Sequence, residues 1–297
     1  MGIGNLLERA NSYAKTNTLL FRPRGAVEGS GILIFLHKRF DANISEEDLL
    51  AMKKYTEDNR DSIKKVRDML FDEKSRKVYD SVIEYRCTGN KRCIIHSPDM
   101  YFPKDIFKLS KEEVFVDCGS FSGDTIFEFI RQTRGRFKAV YAFEPGLKHY
   151  DFLKKNVKKL SRYGSNFTLI NEGVWSECGQ LCFIENEVDR GTSHISIENS
   201  MPDTGETSIK VSTLDSVLSD KNPTLIKMDI EGAELEALKG AKEVIKRYRP
   251  GLAICIYHKS EDFVDIPVFI KELVPEYNLY VRHHSCGIYD TVLYAVV

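Results

Sequence analysis

From residue 114 onward, apolar runs of four or five residues alternate with stretches whose apolar positions recur every three or four. The short runs are Val114–Asp117, Ala139–Phe143, Phe167–Ile170, Leu225–Asp229 and Leu252–Ile256, rich in β-branched and aromatic residues. They read as buried strands. Between them lie helical patterns: Ile126, Phe127, Phe129 and Ile130; then Leu147, Tyr150, Phe152, Leu153 and Val157, opposite a face of Lys148, Lys154, Lys155, Lys158 and Lys159. A further helix is expected from about Ala233 to Tyr248, closed by Pro250, and another around Pro267 to Val274. Strands alternating with helices predict a parallel sheet. The chain closes with Tyr280–His284 and Thr291–Val297, separated only by Ser285 to Asp290. No crossover helix fits there, so these two strands are expected to be antiparallel. The fold class is therefore α/β, a mostly parallel sheet with one reversed strand.

Between the third and fourth strands the pattern changes. Val174-Trp175 and Leu181–Ile184 flank Glu177-Cys178-Gly179, which reads as a hairpin. Residues 185 to 207 are polar, with Gly191, Pro202 and Gly205, and read as a loop or flap near the site. Upstream, Ser45 is a helix N-cap with Asp48 three residues on. Residues 45 to 86 are helical, with a break near Asn59 to Asp61, and Gly89-Asn90 marks a turn. Residues 1 to 40 carry six basic residues (Arg9, Lys15, Arg22, Arg24, Lys38, Arg39) against Glu8 and Glu28, and are expected to form an arm packing on the domain or on a second subunit. Gly31–Leu36 within them suits a short strand. The organisation expected is a largely helical extension over residues 1–100 and one α/β domain over 101–297.

Composition narrows the picture modestly. The 297 residues are 42% hydrophobic and 29% charged, as in a soluble globular protein. Lysine plus arginine (43) balances aspartate plus glutamate (44), a net charge of −1 that gives no support to nucleic-acid binding through overall basicity. The longest apolar run, Gly31–Leu36, is too short to span a bilayer. The first residues lack a signal peptide's pattern. Seven scattered cysteines give no disulfide framework, and a cytoplasmic protein with reduced thiols is expected. Cys87, Cys93 and His96 match no zinc spacing and are read as structural.

Candidate chemistry lies at the strand ends. In an open parallel sheet a ligand sits beyond the carboxyl ends of the strands. Here those ends carry Asp117, Glu144, Asn171-Glu172, Asp229 with Glu231, and His258. The turn Asp117-Cys118-Gly119-Ser120-Phe121-Ser122-Gly123-Asp124-Thr125 joins strand to helix with G-x-x-x-G spacing, not the G-x-G-x-x-G of dinucleotide folds. Glu144, after the second strand, is suited to accept hydrogen bonds from both hydroxyls of a ribose, since an ionised carboxylate is acceptor-only. Asp117 and the backbone near Gly119 suit a zwitterionic amino-acid moiety. Asp124 and Thr125 read equally well as helix caps. A ribose and an amino-acid tail together point to S-adenosylmethionine. A hydroxyl acceptor would also need a base, for which His258 and Asp229 are candidates.

These segments resemble the successive motifs of FkbM-type methyltransferases: Val114–Thr125, Tyr141–Pro145, Gly173–Ser176, Thr213-Leu214-Asp215 and, most specifically, Ile226-Lys227-Met228-Asp229-Ile230-Glu231-Gly232-Ala233-Glu234 followed by Leu238–Ala241. The resemblance covers residues 100 to 297. It implies a class I, Rossmann-like methyltransferase sheet of seven strands, S-adenosyl-L-methionine as donor, and O-methylation of a sugar, glycan or polyhydroxylated natural product. Carried over by position, Asp117, Gly119, Ser120, Gly123, Asp124, Thr125 and Glu144 would line the cofactor site, Asn171 and Glu172 would lie near the adenine, and Asp229, Glu231 and His258 would face the acceptor. Many members have Ala-Asn where this chain has Ser120-Phe121. Asp229, Glu231 and His258 would also suit Mg or Mn, but no metal is expected. The rival readings are an NAD-dependent oxidoreductase and a non-catalytic nucleoside-binding scaffold on the same sheet. Self-association is left open.

Overall fold

The computed structural model describes residues 44–160, 166–184 and 206–297, and the backbone of three short strands outside them. Two of those strands, β1 (Thr18–Phe21) and β2 (Ile32–Phe35), pair antiparallel. β2 coincides with the strand expected in Gly31–Leu36. The rest of the expected arm lies outside the described residues.

Three helices follow: α1 (Glu46–Asp58), α2 (Arg60–Met69) and α3 (Glu73–Thr88). Ser45 caps α1 as expected, accepting from the Asp48 N–H. The expected break falls at Asn59, and a second one at Leu70–Asp72 separates α2 from α3. The second break has a cause. Leu70 bridges to Leu279 in β12 (Asn278–His283), and the Phe71 N–H donates to the Leu279 carbonyl at 2.8 Å, so the chain leaves the helix to join the sheet edge.

The main sheet holds seven strands: β3 (Val114–Cys118), β4 (Ala139–Phe143), β5 (Phe167–Ile170), β10 (Leu225–Met228), β11 (Gly251–Cys255), β12 and β13 (Thr291–Val296). Their order is β12-β13-β11-β10-β3-β4-β5. Only β13 is reversed, pairing antiparallel with both β11 and β12. This is the expected mostly parallel sheet with one reversed strand. β3 and β10 are neighbours in parallel register, Asp117 beside Lys227 and Cys118 beside Met228. The strand order reverses here, between β4 on one side of β3 and β10 on the other, which is where such sheets bind ligands.

Both faces of the sheet are covered, which explains the continuous apolar runs. Val116, Ile226, Met228, Leu252 and Ile254 face one core, shared with Met52, Val66, Val78, Tyr79 and Val82 of the first three helices. Phe115, Val140, Ala142, Ala253 and Cys255 face the other, packed against α4 (Asp124–Thr133) and α5 (Leu147–Leu160) through Ile126, Phe129, Leu153 and Val157. The helices before the sheet thus share its core rather than forming one of their own. Arg282 of β12, 1% exposed, reinforces the join by pairing with Asp72 at 2.8 Å and Asp105 at 2.9 Å. Among the described residues no helix is long and apolar enough to cross a membrane. All seven cysteines are free thiols.

Two local expectations are corrected. β6 (Gly173–Val174) and β7 (Gly179–Ile184) do not form a hairpin together. Both pair with β9 (Glu206–Ser212), β6 parallel and β7 antiparallel, in a four-stranded sheet completed by β8 (His194–Ser196). The partner strand lies across the polar insert, where local pattern could not reveal it. The flap expected over residues 185–207 lies outside the described residues, apart from β8 and the start of β9. The helix expected from Ala233 to Tyr248 is two, α7 (Glu234–Lys239) and α8 (Lys242–Tyr248). Asp215, at the start of α6 (Leu214–Leu218), accepts from the N–H groups of Glu243 and Val244 and so caps α8. The break also admits the Trp175 carbonyl against Gly240, where a Cβ would stand 2.1 Å from that oxygen. Gly240→Ala is therefore predicted to destabilise the protein by about 2 kcal/mol, read by urea denaturation. A midpoint equal to wild type would contradict this packing.

Candidate functional site

The turn after β3 is built around two left-handed glycines and one left-handed phenylalanine. Gly119 has φ +78° and Gly123 +88°, while Phe121 has φ +46°. At Gly119 the reason is contact as well as torsion. An added Cβ would meet the Asp229 carbonyl oxygen at 2.0 Å, so the turn lies flush against the end of β10. The Asp229 N–H donates to the Cys118 carbonyl at 3.2 Å and extends the strand pairing into this contact. Bulky residues resist a positive φ. Phe121 adopts it because its N–H then reaches the Glu144 carboxylate at 2.8 Å, while its ring lies 4.3 Å from that of His149. Asparagine, common there in the family resembled, accepts this conformation with less strain.

Beneath the turn lies a buried ion pair. Lys227 Nζ is 3.0 Å from Asp117 Oδ1, with both side chains almost wholly out of solvent. The ammonium also donates to the carbonyls of Gly119 at 2.8 Å and Cys118 at 3.2 Å. Burial alone would lower the Lys227 pKa, but the Asp117 carboxylate and then Asp229 hold it above its ordinary value. Asp117 and Ser120 thus support the turn from below: both are buried, and the Ser120 hydroxyl donates to the Asp117 carbonyl at 2.8 Å. Thr125 is likewise buried in the first turn of α4, and Asp124 is half-buried at its start.

Glu144, just beyond β4, is 6% exposed. One oxygen accepts from the Phe121 N–H and the other from the Gly146 N–H at 2.9 Å. Burial pushes its carboxyl up from 4.5 to about 7, the two backbone bonds opposing it in part. Asn171 donates from its side chain to the Glu144 and Pro145 carbonyls at 2.8 and 3.0 Å, holding this loop. Glu172 is paired with Lys210 at 2.5 Å.

Around the end of β10 the structure brings together Asp229, Glu231 and His258, as expected from sequence. His258 Nε2 lies 3.4 Å from Asp229 Oδ1 and 3.4 Å from Glu231 Oε2. Its Nδ1 lies 3.0 Å from Glu234 Oε1. Burial acts to lower its pKa, but the Glu234 and Glu231 carboxylates prevail and push it up to about 10. Glu231 is in the left-handed region at φ +57°, followed by Gly232 at +91°. Such strain in a bulky residue is held only where surroundings enforce it. Glu234 is no solvated helix residue: it is fully buried and also accepts from the Ile230 N–H at 2.8 Å.

Two tyrosines passed over in the sequence complete this cluster. Tyr101 donates to Asp229 Oδ2 at 2.8 Å and Tyr257 to Asp229 Oδ1 at 2.7 Å. Tyr257 was readable only as the neighbour of His258, and Tyr101 stands far upstream in an irregular segment. His283 and His284 do not join the cluster. His283 Nδ1 lies 2.8 Å from the Thr291 hydroxyl. His284 reaches the Tyr294 hydroxyl at 2.9 Å, which in turn accepts from the Tyr101 N–H. Cys87 and Cys93 contact Thr56 and Glu84, and His96 the His284 carbonyl, a structural role.

A sheet of this order, with a glycine turn after its first strand and an acid after its second, defines the class I methyltransferase fold. The model of the methyltransferase FkbM domain family matches residues 117–284, more than half of the chain. The chain belongs to the FkbM methyltransferase family. The crystal structure of methyltransferase FkbM from Methylobacillus flagellatus superposes with a TM-score of 0.71 at 27% identity, covering 82% of this chain and 60% of that one. The present chain therefore spans less than two thirds of that relative. Weaker matches include the O-methyltransferase from Bacillus cereus in complex with SAH (14% identity, TM-score 0.37, covering 63% of this chain and 74% of that one). Aeropyrum pernix fibrillarin with bound S-adenosyl-L-methionine is similar at 13% identity and TM-score 0.38, covering 65% and 71%. No curated protein matches the chain. The family assignment displaces the oxidoreductase alternative.

The ion pair beneath the turn generates a prediction. Lys227→Met leaves the Asp117 carboxylate buried without its partner and is predicted to cost about 3–5 kcal/mol. Adding Asp117→Asn should recover part of that loss. Urea denaturation of the single and double variants reads both, and a loss below about 1 kcal/mol in Lys227→Met would contradict the pairing.

Proposed function

We propose that this chain transfers a methyl group from S-adenosyl-L-methionine to a hydroxyl of a sugar or polyhydroxylated natural product. The observation that carries this reading is Glu144. It is a buried carboxylate at the end of the second sheet strand, beside the glycine turn, with each oxygen held by a single backbone N–H. An ionised carboxylate has further lone pairs on both oxygens. That donor set fits the two hydroxyls of a ribose and would repel a phosphate there.

In this reading the backbone of Gly119–Gly123 and the start of α4 hold the amino-acid end of the donor, with Asp117 and Lys227 fixing the turn from beneath. Asp124 and Thr125 stand at that helix start. Asn171 shapes the loop around Glu144, and Glu172 lies beyond it toward the adenine. The bound donor supplies a methyl group on a sulfonium, a good leaving group, so the chain's own task is mainly alignment. Asp229, held by two tyrosine hydroxyls beside Glu231 and His258, faces the acceptor. A base for the acceptor hydroxyl is at hand in this cluster, in the Asp229 and Glu231 carboxylates that stand 3.4 Å from His258.

The test is calorimetry with S-adenosylmethionine. Ribose hydroxyls donate to the ionised form of Glu144, whose carboxyl titrates at about 7. Affinity should therefore rise between about pH 6 and about pH 8. Glu144→Gln should bind at least about tenfold more weakly and lose that rise, with its melting temperature recorded alongside to confirm folding. Absence of binding by wild type, or equal binding by a folded Glu144→Gln, would sink the donor assignment.

A further inference from the structure

The His258 imidazole poses a problem that an ion pair does not solve. Its side chain is 9% exposed, and neither ring nitrogen makes a hydrogen bond of acceptable angle. Nε2 is aimed between two carboxylate oxygens and stands 3.4 Å from each. One N–H has one direction and suits one acceptor at about 2.8 Å. A position equidistant from two, and bonded to neither, is a spacing that a cation shared among the three would suit.

We propose that Asp229, Glu231 and His258 form a binding site for a divalent cation of the Mn or Mg type, deepening the methyltransferase reading above. One ligand atom from each of the three residues lies within 4.8 Å of the others. Adjacent ligands of an octahedral ion bound at about 2.1 Å are about 3.0 Å apart, and the 3.4 Å contacts need only a small contraction to meet that. Two carboxylates and one imidazole, with no sulfur among the three ligands, suit Mn or Mg over softer ions.

The surroundings match what orients metal ligands elsewhere. Glu234 Oε1 sits 3.0 Å from the far nitrogen of His258, close enough that a small turn of the ring would make the carboxylate–histidine bond that orients a ligating imidazole. The Tyr101 and Tyr257 hydroxyls fix the Asp229 carboxylate by donating to its two oxygens. Glu231 is brought in by its left-handed backbone, made workable by Gly232. The charges also favour a cation: three carboxylates, Asp229, Glu231 and Glu234, surround one imidazole. Lys227, the nearest buried ammonium, is engaged with Asp117 and two carbonyls. Three protein ligands leave further positions on the ion for oxygen atoms of an acceptor, so a hydroxyl bound there would be acidified where methyl transfer is proposed.

The experiment uses the full chain stripped with chelator and titrated with Mn2+ in the absence of S-adenosylmethionine. Calorimetry should show one equivalent bound. Electron paramagnetic resonance of the bound ion should show coupling to one imidazole nitrogen, lost in His258→Ala. Glu231→Gln, a change in a half-buried turn, should weaken Mn2+ at least tenfold, while Glu144→Gln should bind Mn2+ as wild type does. No Mn2+ binding, no nitrogen coupling, or binding indifferent to both substitutions in the cluster would overturn the site. Because the donor is absent, a failure here leaves the methyl-transfer reading standing, and a failure to bind S-adenosylmethionine leaves the metal site standing.

Discussion

The Asp117–Lys227 ion pair is the interaction on which the rest of the site depends. It joins the first and fourth strands of the parallel sheet at the point where their carboxyl ends separate, and its ammonium also ties down the two carbonyls that begin the glycine turn. A buried pair is not automatically stabilising, since desolvation offsets much of the attraction. What this one supplies is position. With Lys227 in place, Gly119 lies against the Asp229 carbonyl, and the glycine turn meets the Asp229 cluster as one unit. The in-line transfer proposed above requires that kind of fixed spacing.

Around that unit the charges are sorted. On one side Glu144 sits with backbone N–H groups and no ammonium in hydrogen-bonding contact, so burial raises its pKa into the neutral range. On the other, the Glu234 and Glu231 carboxylates drive the His258 pKa upward against burial, with Asp229 also 3.4 Å from the ring. Two carboxylate neighbourhoods on one sheet edge thus stand in different surroundings, one held by backbone N–H groups and one gathered around an imidazole.

Much of this was legible in the sequence because the relevant signals are local. Short, largely apolar runs marked five strands of the main sheet, and the two β-like runs at residues 280–284 and 291–297, with only a short stretch between them, marked the remaining pair and its reversal. The polar strand ends marked Asp229, Glu231 and His258 as companions, and the structure brings them together. What stayed hidden depended on distant partners. β7 pairs with a strand beyond the polar insert, α7 and α8 part to let the Trp175 carbonyl approach, and Tyr101 reaches Asp229 across 128 positions of sequence. Phe121 was opaque for another reason. Its role lies in its backbone N–H and positive φ, which no side-chain pattern records. Asp117 and Lys227 were both visible, but that one neutralises the other follows only from strand register.

The central claim is that one sheet edge holds a donor half at Glu144 and an acceptor half at Asp229, clamped together through Lys227. The most direct measurement is a crystal structure with S-adenosylhomocysteine bound. The account predicts ribose hydroxyls on the Glu144 carboxylate and the sulfur directed toward Asp229, Tyr101 and Tyr257. A ribose bound away from Glu144, or a sulfur facing away from the Asp229 cluster, would contradict it.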